Sequence, residues 1–138
     1  GLVAITPAAG SVDVFGAICI GSITSVICYF MVAVVKRYFG YDDALDAFGV
    51  HGMGGIIGSI LTGVFATKIV TGGPCGAMEG NWHQLGIQIL ATLFSIIYSS
   101  VITFVLYKVI DRIIGMRVEL REEEEGLDVY EHSESAYN

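Results

Sequence analysis

Long uncharged apolar runs alternate with short polar turns along this chain. Val14 to Val35 is 22 residues without a charge, Ala47 to Ala66 is 20 with His51 as its sole ionisable group, and Leu85 to Tyr107 is 23 with none. A helix needs about 20 residues to cross a hydrocarbon core of about 30 Å, so each run predicts one transmembrane helix. The fold class expected is an all-α integral membrane protein, with three transmembrane helices and a tail. Residues 1–13 read as the end of a preceding membrane helix and an outer loop, because GLVAITPAAG is apolar and breaks at Thr6-Pro7. Residues 14–115 form the expected three-helix region and residues 116–138 an acidic tail. Gly1 to Gly10 has no basic n-region or cleavage site of a signal peptide. With no initiator Met and an opening that reads as the end of an earlier helix, Gly1 is not expected to be the natural start.

Composition adds an exclusion. Of 138 residues 54% are hydrophobic and 15% charged, with a mean hydropathy of +0.68. So few charges cannot cover a water-soluble domain of this size. The net charge is −7, of which −6 falls in Met116 to Asn138, with eight acids and two bases there. No basic patch exists to neutralise phosphates, so nucleic acid is not expected as a partner. Cys19, Cys28 and Cys75 lack any CxxC or His-linked spacing and read as small apolar or loop residues. No cofactor is implied.

Charge also orients the spans. Lys36 and Arg37 follow the first, Lys108, Arg112, Arg117 and Arg121 follow the third, and Lys68 alone lies between the second and third. The positive-inside rule makes the six-charge side cytoplasmic, tail included. Trp82 and His83 then sit at the outer start of the third span as an interfacial anchor.

The second span carries the candidate chemistry. It holds six glycines, at 49, 52, 54, 55, 58 and 63, which permit close helix packing in a membrane. Gly55, Ser59 and Gly63, four apart, predict a small-residue seam. Asp42 or Asp43 is expected to cap the helix, and Asp46 to add a favourable negative charge in its first turn; the alternative is that they act on cations at a pore mouth. His51 is the sharpest site. An ionisable group inside a membrane is costly unless it faces a bundle interior or cavity, which makes it a functional candidate by default. The glycines at 54, 55 and 58 predict open space on its face. No His, Cys or carboxylate stands three or four residues from it, so a metal site is not supported. Packing alone would also accommodate a neutral imidazole. The polar groups of the third span, Gln84, Gln88, Ser95, Tyr98, Ser99, Ser100 and Thr103, read as interhelical hydrogen bonds.

In the tail, Glu122 to Glu125 repel one another and Gly126 is expected to break any helix leaving the membrane, while Leu127, Val129, Tyr130 and Tyr137 read as docking anchors. The stretches GLVAITPAAG, DDALDAFGVHGMGG and GMRV…EEGLDV…HSESAY, in this order from Gly1 to Tyr137, resemble the ammonium transporters, the Amt/MEP group related to the Rh proteins.

That resemblance implies an eleven-helix bundle of two inverted five-helix repeats plus a long last helix, assembled as a homotrimer with a pore in each subunit. The three spans would be its last three helices, making this the C-terminal portion of a subunit in the cell membrane. It implies that His51, in FGVHG, is the second of a pair of pore histidines. Ammonium loses its proton at an outer vestibule, ammonia passes the histidines, and the proton crosses separately. Thr6 and Ala47 would be weaker contacts along the substrate pathway, and Asp43 would stand at the inner pore mouth or cap the helix. The tail resembles a segment that responds to PII-family proteins, although Ser133 stands where the family usually has Gly. An ammonium sensor signalling through this tail is the alternative function. An enzyme is not expected, since no HExxH, GxSxG or intramembrane carboxylate pair occurs.

Overall fold

A computed structural model describes residues 1–132. Ser133 and Tyr137, singled out in the tail, lie outside the described residues. The chain divides into two units, Gly1–Ile96 and the residues from Ile97 onward.

In the first unit, helix α1 (Leu2–Ile5) runs into a 3-10 turn at Thr6–Ala8. Helix α2 (Val14–Phe39) begins where Asp13 accepts the Gly16 N–H at 2.8 Å, satisfying an amide that the helix itself leaves unpaired. It ends at Gly40, whose φ of 60° is left-handed. Its 26 residues span about 39 Å at 1.5 Å each. The helix thus continues through Lys36 and Arg37, four residues past the apolar run. Cations suit the negative end of a helix and their long stems reach out to the interface, so a charge ends the apolar run without ending the helix.

Helix α3 (Phe48–Phe65) is the 18-residue second span. A loop follows, containing the short helix α4 (Lys68–Thr71) and a 3-10 turn at Ala77–Glu79. Glu79 accepts the Lys68 N–H at 3.3 Å. The Thr67 hydroxyl holds its carboxyl below the ordinary glutamate range, with smaller help from the Lys68 amide.

The core of this unit is Ala4, Ala8 and Ile20, all fully buried, with Ile5, Val12, Leu61 and Phe65 packed round them. Gly58 lies directly against the backbone of Ala4, and a Cβ on Gly54 would meet Val3 at 3.3 Å and Cys28 at 3.6 Å. Thr62, also buried, returns its hydroxyl to the Gly58 carbonyl at 2.8 Å. The small-residue seam therefore runs through Gly54, Gly58 and Thr62, one position away from the predicted Gly55, Ser59 and Gly63. Ser59 is only partly buried and Gly55 has nothing within 4 Å, while Gly63 makes a separate contact, its Cβ position 2.9 Å from Leu85 Cα.

Helix α5 (Trp82–Ile114) is capped by the Asn81 side chain, which accepts the Gln84 N–H at 3.3 Å. Its 33 residues extend about 50 Å, well beyond the hydrocarbon core. Ten of them lie outside the predicted Leu85 to Tyr107: three precede it, and seven follow for the reason given for α2, since Lys108 and Arg112 end the charge-free run but suit a helix C-terminus.

In the second unit, α5 ends at Gly115, with a φ of 71°. The helix leaving the membrane is broken here and not at Gly126. Helix α6 (Leu120–Glu125) starts with a capping box in which Glu119 and Glu122 exchange side-chain and backbone bonds. Gly126, with a φ of 96°, separates it from α7 (Leu127–His132). Leu127, Val129 and Tyr130 are exposed.

Two predictions follow from these contacts. In the full-length protein Gly58→Val forces a side chain into the Ala4 backbone and should cost about 3 kcal/mol or more, read as a lowered thermal midpoint in detergent. Gly55→Ala should change that midpoint little; the reverse order would return the seam to 55, 59 and 63. Because the Glu79 pKa is lowered in the folded state, its contribution is complete at neutral pH and is lost as pH falls through that lowered value. Proteolytic nicking of the 67–81 loop should therefore rise on acidification in the wild type and be high at both pH values in Glu79→Ala.

Candidate functional site: the His51 turn

His51 is carried by the first turn of α3, which is wound as a π-helix over Phe48–Gly52. The Met53 N–H reaches back five residues to the Phe48 carbonyl. Such turns are rare, redirect carbonyls away from the regular ladder, and are frequent at functional sites. A second π-helical stretch, Met31–Val35 of α2, lies against it, closed by the Lys36 N–H on the Met31 carbonyl.

Two contacts join this turn to α2, one from the π-helical stretch itself and one from Cys28 just before it. Gly49 is buried, and a Cβ there would fall 2.8 Å from Val32 Cγ2, so only glycine lets the turns approach this closely. The Cys28 thiol donates to the Val50 carbonyl at 3.8 Å. Cys28 thus supplies a weak cross-helix hydrogen bond, which composition alone gave no reason to expect.

The imidazole of His51 is exposed on this chain, and among the described residues no hydrogen bond reaches it. Of the three glycines expected to leave space on its face, only Gly55 is open. On that same face Val3 and Cys28 pack against Gly54, and the Ala4 backbone against Gly58. Openness beside His51 therefore comes from the i+4 glycine alone.

Asp43 resolves the choice of cap. Its carboxylate accepts the Ala47 N–H at 2.8 Å and the Phe48 N–H at 2.9 Å, one on each oxygen. Asp46 does not sit in the helical turn as a free charge. It adopts a left-handed backbone, φ 54°, and pairs with the Lys36 ammonium at 2.6 Å. The Tyr41 ring packs edge-on against Phe48, centroids 5.9 Å apart.

Asp43, Ala47 and His51 are thus brought together on one continuous segment at the start of α3. Ala47 is exposed and contributes its capped amide. Thr6 is placed elsewhere. It follows Ala4, which packs at Gly58, seven residues and hence about 10 Å along the axis from His51. Its hydroxyl is turned back to the Leu2 carbonyl at 3.0 Å. Lys36 was read from the sequence only as an orienting charge. Its position ten residues before Asp46, across the Gly40 turn, was the available signal for the pair.

The sequence profile of the Ammonium Transporter Family matches residues 1–137. The chain belongs to the ammonium transporter family. It is 54% identical over its whole length to an ammonium transporter of Aquifex aeolicus, covering 32% of that protein. It is 45% identical to an ammonium transporter of Bacillus subtilis over 99% of this chain and 34% of that one. The crystal structure of Saccharomyces cerevisiae Mep2 superposes with a TM-score of 0.78 at 31% identity, over 86% of this chain and 28% of Mep2. This ammonium transporter family chain therefore spans about a third of the length of the curated relatives it matches. Its three apolar helices and that family mark a membrane protein.

Removing the double cap should be costly. Asp43→Ala is expected to destabilise the full-length protein by about 1–2 kcal/mol, measured as thermal inactivation in detergent. Asp42→Ala, which removes no cap, should stay within about 0.5 kcal/mol. Equal losses would refute the assignment of the cap to Asp43.

Proposed function

We propose that this chain supplies the last three membrane helices of a subunit that carries ammonium across the cell membrane, with His51 lining the path. Its family membership over residues 1–137 is the observation that carries the reading. The exposed imidazole on a π-helical turn, open towards Gly55, supports the choice of residue.

The physical argument concerns charge. An ion entering an apolar conduit loses its hydration at a cost of many kcal/mol, whereas a small neutral amine loses far less. Ammonium therefore gives up its proton before the constriction, ammonia passes His51, and the proton crosses separately. An imidazole both donates and accepts hydrogen bonds, so it can stabilise ammonia and hand on a proton. Potassium has no proton to shed and is excluded on that ground. In this reading Asp43 and Ala47 shape the inner end of the pathway and Thr6 makes a contact further along it. The chemistry is transport and not catalysis of a covalent step.

We extend the same reading to the assembly. The subunit forms a homotrimer, the six-charge side faces the cytoplasm, and the acidic tail lies there within reach of a PII-family regulator. The distribution of Lys and Arg supports the orientation.

The test is His51→Ala in the full-length protein. Ammonium uptake per trimer, or the preference for ammonium over potassium, should change by about tenfold or more, the worth of one well-placed hydrogen-bonding group of about 1.4 kcal/mol, while trimer yield stays constant. Unchanged uptake together with unchanged selectivity would remove His51 from the pathway.

A further inference from the structure

The amine of Lys36 does more than balance a neighbouring charge. It donates to the Asp43 backbone carbonyl and to Asp46 Oδ1, the latter at 2.6 Å. The same Asp43 carbonyl accepts the Asp46 N–H at 3.0 Å. One ammonium thus grips both ends of the Asp43–Asp46 turn. Asp46 holds a left-handed backbone there, φ 54°, a conformation that L residues other than Asn and Asp seldom take. With side chains 26% and 33% exposed, the pair is partly shielded from solvent.

The turn is connected to His51 through one peptide. The Asp46 carbonyl accepts the Val50 N–H at 2.9 Å, and the Val50 carbonyl accepts the Cys28 thiol. The residue immediately before His51 is therefore held on its amide side by the turn that Lys36 clasps, and on its carbonyl side by the Cys28 thiol of α2 together with the Met53 N–H of its own helix. The fastenings by Lys36 and Cys28 both originate on α2, from either side of its π-helical stretch Met31–Val35. These bonds hold the peptide that immediately precedes His51. Asp43, held at its carbonyl by Lys36, also caps the π-helical turn through both carboxylate oxygens.

We propose that Lys36 and Asp46 form a positioning pair that sets the orientation of His51 for conduction, acting through the Val50 peptide. The proposal rests on the reading of His51 as a pathway residue and adds to it two residues outside the pathway. Lys36 does not touch the permeating molecule. Its loss lets the Asp43–Asp46 turn relax, and the imidazole then samples several directions.

The test is a double-mutant cycle in the full-length protein, with uptake and ammonium-over-potassium selectivity both normalised to trimer in the membrane. Lys36→Met should lower uptake per trimer by about tenfold and reduce selectivity, since a misplacement near 1 Å is enough for such losses. Lys36→Arg, which keeps the charge, should recover most of both. Lys36→Met combined with His51→Ala should be no worse than His51→Ala alone, because the pair acts only through the imidazole. Wild-type uptake and selectivity in Lys36→Met, beside an impaired His51→Ala, would overturn the positioning role and leave the pathway reading intact. Losses that multiply in the double variant would equally overturn it, by giving Lys36 an independent effect. An inert His51→Ala would instead overturn the pathway reading itself. Should Lys36→Met fail to reach the membrane, Asp46→Asn carries the same cycle, since Asn tolerates the left-handed backbone but leaves the ammonium without its carboxylate.

Discussion

At Gly58 no side chain stands between α3 and α1, since the glycine rests on the backbone of Ala4; a turn earlier Gly54 takes the Val3 side chain, and a turn later Thr62 is buried. Inside a bilayer no hydrophobic gain drives helices together, since lipid is as apolar as leucine. Close backbone packing is what remains. This contact fixes the face of α3 turned to α1 and α2, and so the face left over. His51 stays exposed on this chain a turn before that contact, and nothing lies within 4 Å of the Cβ position of Gly55 beside it.

The same helix departs from regular geometry at its start. A π-helical turn frees carbonyls, and an unpaired carbonyl at membrane depth costs several kcal/mol. Here the Val50 carbonyl accepts both the Met53 N–H and the Cys28 thiol, and the Ala47 and Phe48 amides at the helix start are capped by Asp43. The opposing π-helical stretch of α2 provides a matching surface, with Val32 against Gly49. An irregular turn bonded and packed at these points is held more firmly than a free one, as the proposed role of His51 needs.

The existence of three spans was legible because charge-free runs of this length have few other uses. Their ends were not, since Lys36, Lys108 and Arg112 interrupt apolarity without interrupting the helix. His51 was legible as the lone ionisable group of its run. The register of the glycine seam was not, because six glycines in twenty residues satisfy two four-residue spacings, and choosing between them needs the position of α1. The π-helical turns have no local signature and depend on Val32 meeting Gly49. The Lys36–Asp46 pair was hidden by ten residues of separation, closed only once Gly40 reverses the chain. Local pattern thus located the elements and the candidate residue, and tertiary contact supplied its geometry.

The central claim is that His51 faces a polar path within the membrane and not lipid. The most direct measurement is an experimental structure of the full-length assembly in a lipid bilayer, resolved well enough to place the imidazole of His51. The account predicts a continuous cavity beside Gly55 and a second polar group within hydrogen-bond distance of the imidazole. An imidazole in contact with acyl chains, with no cavity at Gly55, would contradict it.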